Sequence, residues 1–173
     1  LAWASNNLLY ISDTHNNLVR KINGNNNRLS TLAGTPYQKG FSGDNGLAEK
    51  AKLDTPISIS LTPDEKTLLI ADIRNRRIRA VDLNSGIIRT IAGNGKKGKP
   101  IDGKLTLEQP LMDPRAAVMD DDGNLFVLER NGHALRVIHP DGKIYTLAGT
   151  GKRGHRDGPA LQASFNGPKH LCV

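Results

Sequence analysis

Cysteine is almost absent from this sequence, which contains a single one, Cys172, among 173 residues. One cysteine excludes an internal disulfide framework and a cysteine-rich zinc site. Because Cys172 lies in the apolar run at 171–173, we expect it to be a small, buried residue of a β-strand. The fold must therefore be stabilised by a core, and the length suits one domain that is large enough to bury one.

Long hydrophobic runs are also missing. No stretch of about 18 apolar residues occurs, so we predict no transmembrane helix and no insertion into a membrane. Residues 1–5 lack an initiator methionine and have neither the basic region nor the apolar length of a signal peptide. We therefore expect a fragment or a processed product, and the sequence assigns no localisation.

Aromatic residues are few, at 4%, whereas basic residues are in excess. The 24 Lys and Arg residues outnumber the 17 Asp and Glu residues, which gives a formal net charge of +7. This excess favours an anionic partner such as an acidic protein face or a nucleic acid, although it also serves solubility. Since the basic residues are not interleaved with aromatic residues that stack on bases, nucleic acid is the less favoured partner.

A pattern with a period near 60 residues dominates what is present. Two short apolar runs flank a polar turn that opens with an acidic residue, at Asp13, Asp72 and Glu129. Each repeat then leads to a tetrapeptide of the form Thr-x-Ala-Gly, which ends at positions 34, 93 and 149. The spacings of the acids are 59 and 57, and those of the tetrapeptides are 59 and 56, so both features mark the same repeat.

Each repeat contains four apolar segments of strand length, separated by turns that contain glycine or proline. The first segment begins with a proline, as at Pro56, Pro114 and Pro168, and proline is tolerated at the first residue of a strand. Four strands in up-and-down order, followed by a long polar connection, are typical of a β-propeller blade. One blade cannot bury both of its faces, so we predict an all-β fold of four-stranded antiparallel blades that stack face to face.

These residues resemble the NHL-repeat family. The resemblance rests on the proline-led strand, on Gly-Asn-Leu-Phe-Val at 123–127, on the acid that opens the turn and on the Thr-x-Ala-Gly ending, and it covers nearly the whole chain. It implies a six-bladed β-propeller, used mostly as a platform that binds proteins or RNA, with a minority of enzymes that include metal-dependent lyases. The third copy departs from the pattern, because Glu129 replaces aspartate and Gly132 stands where the other copies have asparagine.

The repeats predict a partial blade at 1–34, two blades at 53–93 and 111–149, and the first strand of another blade at 165–173. We expect the chain to begin in the second strand of its first blade and to hold three blades' worth of strands. Three blades are too few to close a ring. The chain is then either half of a longer protein or one copy of a homodimer that closes a six-bladed ring head to tail, in which 167–173 complete the partner's first blade.

The recurring acids Asp13, Asp72 and Glu129 are predicted to be structural. Each opens a turn, where a carboxylate caps backbone N–H groups, and each is followed by an arginine with which it can pair. These arginines are Arg20, Arg79 and Arg136. Because the same acid returns in every repeat, whereas a catalytic site needs different residues in different blades, we predict no catalytic residue here.

Two patterns in the sequence resemble parts of a metal site. His15 and His133 lie in equivalent turns, but the middle repeat has no histidine there, and a zinc or iron site needs about three converging ligands. Asp44, Asp102 and Asp157 lie in polar glycine-rich loops, and one carboxylate with a glycine does not supply the roughly six to eight oxygens that calcium requires. We interpret these aspartates as turn formers and predict no metal and no other cofactor.

Cationic residues of the turns and connections form the candidate binding face. In a four-stranded blade, the turn between the second and third strands leaves from the same face as the connection to the next blade, so these residues gather on one face. They are Arg74, Arg76 and Arg77 in the middle turn, Lys96, Lys97 and Lys99 in the second connection, and Lys152, Arg153, His155 and Arg156 in the third.

From this face we predict a non-enzymatic binding scaffold for a protein or polyanionic partner. The first alternative is a lyase or hydrolase with its site at the mouth of the propeller channel. The second is RNA binding through the basic face, and the remaining interpretation is a solvated face without a partner.

Overall fold

The computed structural model describes residues 1–172, which form three antiparallel sheets and three short 3₁₀ turns. The first sheet consists of β1 (Ala2–Ala4), β2 (Leu8–Asp13), β3 (Leu18–Asn23) and β4 (Arg28–Ala33). The second consists of β5 (Gly46–Leu47), β6 (Pro56–Leu61), β7 (Thr67–Asp72), β8 (Arg77–Asp82) and β9 (Ile87–Ala92). The third consists of β10 (Lys104–Leu105), β11 (Pro114–Met119), β12 (Leu125–Glu129), β13 (Ala134–Ile138) and β14 (Lys143–Ala148).

In each sheet, four strands lie side by side in the order of the chain. The second and third sheets each have a fifth strand of two residues: β5 pairs with β9, and β10 pairs with β14. The 3₁₀ turns span Thr14–Asn16, Ala48–Lys50 and Thr106–Glu108. This up-and-down arrangement confirms the prediction of an all-β chain built of three four-stranded propeller blades. Within residues 1–172, no helix has the length and apolarity that crossing a membrane requires.

The second sheet is covered on both of its faces. Leu68 and Ile70 of β7 belong to the core between the first and second sheets, whereas Leu69 and Ala71 belong to the core between the second and third. Successive side chains of a strand point to opposite faces, so one strand supplies both cores. This explains why β7 is a continuous apolar run rather than an alternating one.

The expectation that the chain begins in the second strand of its first blade is wrong. Residues Ala2–Ala4 form β1, which pairs antiparallel with Leu8–Tyr10 along one edge of β2. No proline precedes this segment, so the marker that identified the other first strands was missing. The first sheet therefore has four strands, although β1 leaves Ile11–Asp13 without a strand partner on that edge among the described residues.

The segment that was predicted to begin a further blade, 165–173, contains no assigned strand in residues 165–172, and residue 173 lies outside the described residues. The prediction that Cys172 is buried is wrong, because its side chain is exposed. In the second and third sheets the corresponding segment is covered through pairing with the strand that follows it. The additional blade, the six-bladed ring and the homodimer stay predictions.

The glycine of each Thr-x-Ala-Gly ending has a steric reason. Gly34, Gly93 and Gly149 have φ of +94°, +85° and +94°, and a Cβ at each would lie 2.3–2.4 Å from a carbonyl oxygen. Those oxygens belong to the last residues of the polar turns, Asn17, Arg76 and His133. The outer strand therefore ends in close contact with the turn of its own sheet, and only glycine fits there.

Candidate binding cleft on the connection face

One side of the three sheets carries the turns at 14–17, 73–76 and 130–133, both ends of the long connections at 34–55 and 93–113, and the connection at 149–167. Within the first two connections, β5 and β10 reach the first residues of β9 and β14. We call this side the connection face. Backbone hydrogen bonds join its parts, from the N–H of Arg74 to the carbonyl of Asp54 at 3.2 Å and from the N–H of Arg130 to the carbonyl of Asp113 at 3.1 Å. The loops are thereby fixed on a rigid framework of strands.

Asp72 anchors the middle turn from a fully buried position. Its Oδ1 accepts the backbone N–H of Asp54 at 2.8 Å, its Oδ2 accepts the side-chain amide of Asn75 at 2.8 Å, and the Nη1 of Arg79 lies 3.6 Å from Oδ2. Burial raises the pKa of Asp72 to about 6, against the opposing effect of these donors and of Arg79. One carboxylate therefore connects the turn, the preceding connection and the arginine of the repeat.

Glu129 has the same role in the third sheet with a longer side chain. Its Oε1 accepts the backbone N–H of Met112 at 2.5 Å, and its Oε2 accepts the Nε of Arg136 at 2.7 Å. Burial raises the pKa of Glu129, while Arg136 acts in the opposite direction. A Cβ at Gly132 would lie 2.7 Å from the Cβ of Glu129, so the glycine makes room for the glutamate in this turn.

Asp13 forms the corresponding contacts in the first sheet. Its carboxylate accepts the amide of Asn16 at 3.0 Å and lies 3.4 Å from the Nη1 of Arg20. About a quarter of each of these two charged side chains is exposed, whereas Arg79 and Arg136 are almost completely buried. The ion pair of the first sheet is therefore the most solvated of the three.

The aspartates of the glycine-rich loops do more than form turns, which the sequence analysis missed. Asp44 accepts the Nη2 of Arg79 and the hydroxyl of Thr90, both at 2.8 Å. Asp102 accepts the hydroxyl and the backbone N–H of Thr146 at 2.9 and 3.0 Å. The threonine of the tetrapeptide and the loop aspartate recur with one period, and this shared recurrence was the signal for the contact.

Within residues 1–172, no three His, Cys, Asp or Glu side chains gather as metal ligands would. Asp44 and Asp102 lie in the turns that precede β5 and β10, and their carboxylates contact threonines of different sheets, Thr90 of the second and Thr146 of the third. Their oxygens therefore act as hydrogen-bond acceptors for the protein itself.

A cleft of about 600 Å³ opens on the connection face between the second and third sheets. We call it the inter-sheet cleft. Its cationic lining residues are Arg74, Arg76, Lys97, Arg115 and Arg130. None of these forms a salt bridge within the described residues. The two acids of the cleft are already engaged, since Asp54 accepts the hydroxyl of Thr55 at 3.0 Å and Asp113 accepts the amide of Asn131.

Three residues of the predicted binding face, Arg74, Arg76 and Lys97, line this cleft. Arg77 does not line it. The guanidinium of Arg77 lies 3.7 Å from the centre of the Phe41 ring and donates to the carbonyls of Asn75 and Asn94, both at 2.9 Å. The remaining residues are exposed on the second and third connections, outside the cleft lining: Lys96, Lys99, Lys152, Arg153, His155 and Arg156.

Arg115 and Arg130 are cleft residues that the sequence analysis missed. They occupy the positions at which the second sheet has Ile57 and Ile73, one directly after the strand proline and one directly after the turn acid. Burial lowers the pKa of Arg115, and the neighbouring charge of Arg130 lowers it further. Alignment of the repeats with one another, rather than a search for motifs within each, would have shown these two exchanges of isoleucine for arginine.

Arg76 has an unfavourable backbone conformation for its residue type. Its φ of +51° is left-handed, and its Nε is buried without a hydrogen-bond partner among the described residues. The equivalent residues are Asn17 and His133, at φ of +58° and +47°, and asparagine and histidine enter this region more readily than arginine. The middle repeat therefore keeps an arginine where the local backbone favours another residue.

Comparison with proteins of known sequence finds several relatives. The chain aligns with Protein SUPPRESSOR OF QUENCHING 1, chloroplastic, of Arabidopsis thaliana at 28% identity, in an alignment that is 235 residues long. The match covers 98% of the chain and 22% of that protein. The chain is 27% identical over 146 residues to NHL repeat-containing protein 2 of Gallus gallus, covering 82% of the chain and 20% of that protein. The chain thus spans about a fifth of the length of these two relatives. No family model matches the sequence.

Comparison with solved structures supports the fold. A structural genomics protein of unknown function from Bacteroides thetaiotaomicron superposes with a TM-score of 0.76 at 22% identity, over 99% of this chain and 41% of that one. An auxiliary nutrient binding protein from Bacteroides ovatus superposes with a TM-score of 0.70 at 18% identity, over 95% of this chain and 40% of that one. At these identities the likeness shows a shared arrangement of strands.

Proposed function

Because this chain belongs to the NHL-repeat family of β-propellers, we propose that it acts as a non-enzymatic binding scaffold whose basic connection face holds an acidic protein partner. The observation that carries the proposal is the inter-sheet cleft, where cationic side chains converge without salt-bridge partners in residues 1–172. Cations that the protein does not neutralise itself attract an anionic surface. The strands beneath hold these charges in fixed positions, as a binding surface needs.

Further positive charge on the same face supports this function. Lys96, Lys99, Lys152, Arg153 and Arg156 are exposed on the two connections that flank the third sheet. Charged residues at the rim of an interface mainly accelerate association and set its dependence on salt. The exposed residues would therefore steer an acidic partner towards the cleft, where the more enclosed arginines would contact it.

An acidic protein is preferred to RNA because the lining of the inter-sheet cleft contains no aromatic side chain. Binding of single-stranded RNA usually combines cations with aromatic rings on which the bases stack. The lyase or hydrolase alternative gains no support from the cleft, where one oxygen of each of the two carboxylates already accepts a hydrogen bond, from Thr55 or from Asn131. A general acid or base needs a carboxylate that is free to reach the substrate.

The test is binding of fluorescently labelled poly-L-glutamate, followed by anisotropy at low and at moderate salt. We expect a triple substitution of Lys96, Lys99 and Lys152 by alanine to weaken binding on the order of tenfold, and added salt to weaken it further. The charge-matched control removes Arg28, Lys66 and Lys143, which lie at the turns on the opposite side of the sheets. Equal losses in both variants would refute the assignment of the face, and tighter binding of poly(U) than of polyglutamate would favour RNA.

A further inference from the structure

We propose that the inter-sheet cleft is a binding site for a phosphate monoester group, held by Arg76, Arg115 and Arg130 with Arg74 and Lys97 at its sides. This inference goes beyond the proposed function, because it assigns a small dianionic ligand to one cleft, and it rests on that function only for the choice of face. It is carried by three independent observations, which concern the charge balance, the backbone of Arg76 and the comparison of the repeats.

The charge balance of the cleft is uneven. Five cationic side chains line it against two carboxylates, those of Asp54 and Asp113, which leaves an excess of three positive charges. Arg115 is half-buried, and burial lowers its pKa, which the neighbouring positive charge of Arg130 lowers further. Like charges held close together disfavour one another until an anion enters between them.

Arg76 points to a role that the fold alone does not explain. At the equivalent position, the side chain of Asn17 accepts the N–H of Thr55 at 2.9 Å, and His133 accepts the N–H of Gly167 at 3.1 Å. A guanidinium has no acceptor, so Arg76 cannot form this bond to the next segment. The middle repeat thus carries a left-handed arginine with a buried, unpartnered Nε in place of a residue that would tie two sheets together.

The cations are specific to this boundary between sheets. At the boundary between the first and second sheets, the equivalent positions carry His15, Asn17 and Ile57 in place of Arg74, Arg76 and Arg115. The blade architecture therefore does not require arginines at these places. Their concentration at one of two otherwise equivalent boundaries indicates selection for a ligand there.

The chemistry of the lining favours a phosphate monoester over a single carboxylate. A phosphate monoester carries a charge of about −1.5 to −2 near neutral pH and offers three acceptor oxygens. The planar forks of several arginines match that geometry with paired hydrogen bonds. The volume of about 600 Å³ also falls within the range of small-molecule sites, roughly 300–1,000 Å³.

The experiment is titration calorimetry of the 173-residue chain with O-phosphoserine, with serine, glutamate and inorganic phosphate as comparison ligands. We expect one O-phosphoserine per chain, weaker binding of inorganic phosphate and glutamate, and no binding of serine. Arg115→Ile with Arg130→Ile gives the third sheet the residues of the second, so the fold should persist while affinity falls at least tenfold. Arg28→Ala with Lys66→Ala, on the opposite side, should leave the affinity unchanged.

Arg76→Asn separates a ligand role from a structural one. It gives the middle repeat the residue that the first has at Asn17, so we expect the melting temperature to rise by about 2 °C while the affinity for O-phosphoserine falls. A fall in both would overturn the role of Arg76 in the ligand site. A lower melting temperature in Arg76→Asn without loss of affinity would overturn it as well.

The outcomes for the cleft and for the face are distinguishable. If O-phosphoserine fails to bind at millimolar concentration, or binds equally to the Arg115→Ile, Arg130→Ile variant, the cleft proposal is wrong. It is also wrong if glutamate or serine binds as tightly as O-phosphoserine. Binding of polyglutamate in the presence of any of these results would leave the proposed function standing, and loss of polyglutamate binding alone would refute only that function.

Discussion

The side-chain oxygen of Asn17 accepts the backbone N–H of Thr55 at 2.9 Å and thereby ties the first sheet to the start of the second. His133 repeats the arrangement with the N–H of Gly167, at 3.1 Å. In each pair both residues have a positive φ, and the donor directly precedes a proline. One hydrogen bond thus holds two residues of positive φ together at the boundary between repeats.

Replacement of Asn17 by alanine should destabilise the chain by about 2 kcal/mol, because the N–H of Thr55 loses its acceptor and alanine is disfavoured at positive φ. Urea unfolding measures the change. Asn27→Ala is the matched control, since Asn27 has a similar φ of +55° but lies exposed in a turn of the first sheet. The control should lose only the backbone contribution, about 1 kcal/mol. Equal losses would mean that the bond to Thr55 contributes nothing.

Gly93→Ala should be among the most damaging single substitutions of the tetrapeptides. The new Cβ would lie 2.3 Å from the carbonyl oxygen of Arg76, and the φ of +85° is unfavourable for alanine as well. Gly86→Ala shares the positive φ, at +72°, but its Cβ would meet nothing closer than 3.9 Å. We expect losses of unfolding free energy of about 3 kcal/mol or more for Gly93→Ala and about 1 kcal/mol for Gly86→Ala. Similar losses would show that the contact with Arg76 relaxes without cost.

Thr90→Val tests the contact between the tetrapeptide and the loop aspartate. Valine preserves the shape but removes the hydroxyl that Asp44 accepts at 2.8 Å, so the carboxylate keeps only its contact with Arg79. The expected loss of stability in thermal or urea unfolding is about 1–2 kcal/mol. Thr31→Val provides the control, because Thr31 holds the same place in the first tetrapeptide, where no aspartate accepts its hydroxyl within residues 1–172. A comparable loss at Thr31 would assign the effect to the strand rather than to Asp44.

The blade architecture could be predicted because its determinants are local and periodic. Three markers each act within one repeat: the proline of the first strand, the acid of the turn and the glycine that ends the tetrapeptide, as at Gly93. Their recurrence identifies the period. The β1 strand was missed because its four-residue apolar start, 1–4, carries none of these markers. A strand recognised mainly through pairing with its neighbour leaves little signal in its own sequence.

The candidate site was only half predictable, because it forms where two repeats meet. Arg74, Arg76 and Lys97 lie in loops, where a run of cations draws notice. Arg115 lies within a strand and Arg130 directly after one, and both become cleft residues only when the third sheet packs against the second. Arg77 is the first residue of β8, and the direction of its side chain was likewise decided by tertiary contact, with the ring of Phe41.

The unfolding free energy that Asp72 contributes should fall as the pH rises, in the direction opposite to that of an acid whose pKa is lowered on folding. The pKa of Asp72 rises from 3.8 to about 6 on burial, so its contribution is fully present below pH 3.8 and is lost as the pH rises through 6. The unfolding free energy of the native chain, relative to Asp72→Asn, should therefore fall by about 2 kcal/mol between pH 4 and pH 8. Urea unfolding at stepped pH measures this difference, and a flat difference would contradict it. Asp82→Asn is the control: the backbone N–H of Ser85 lowers the pKa of Asp82, so its contribution is lost as the pH falls.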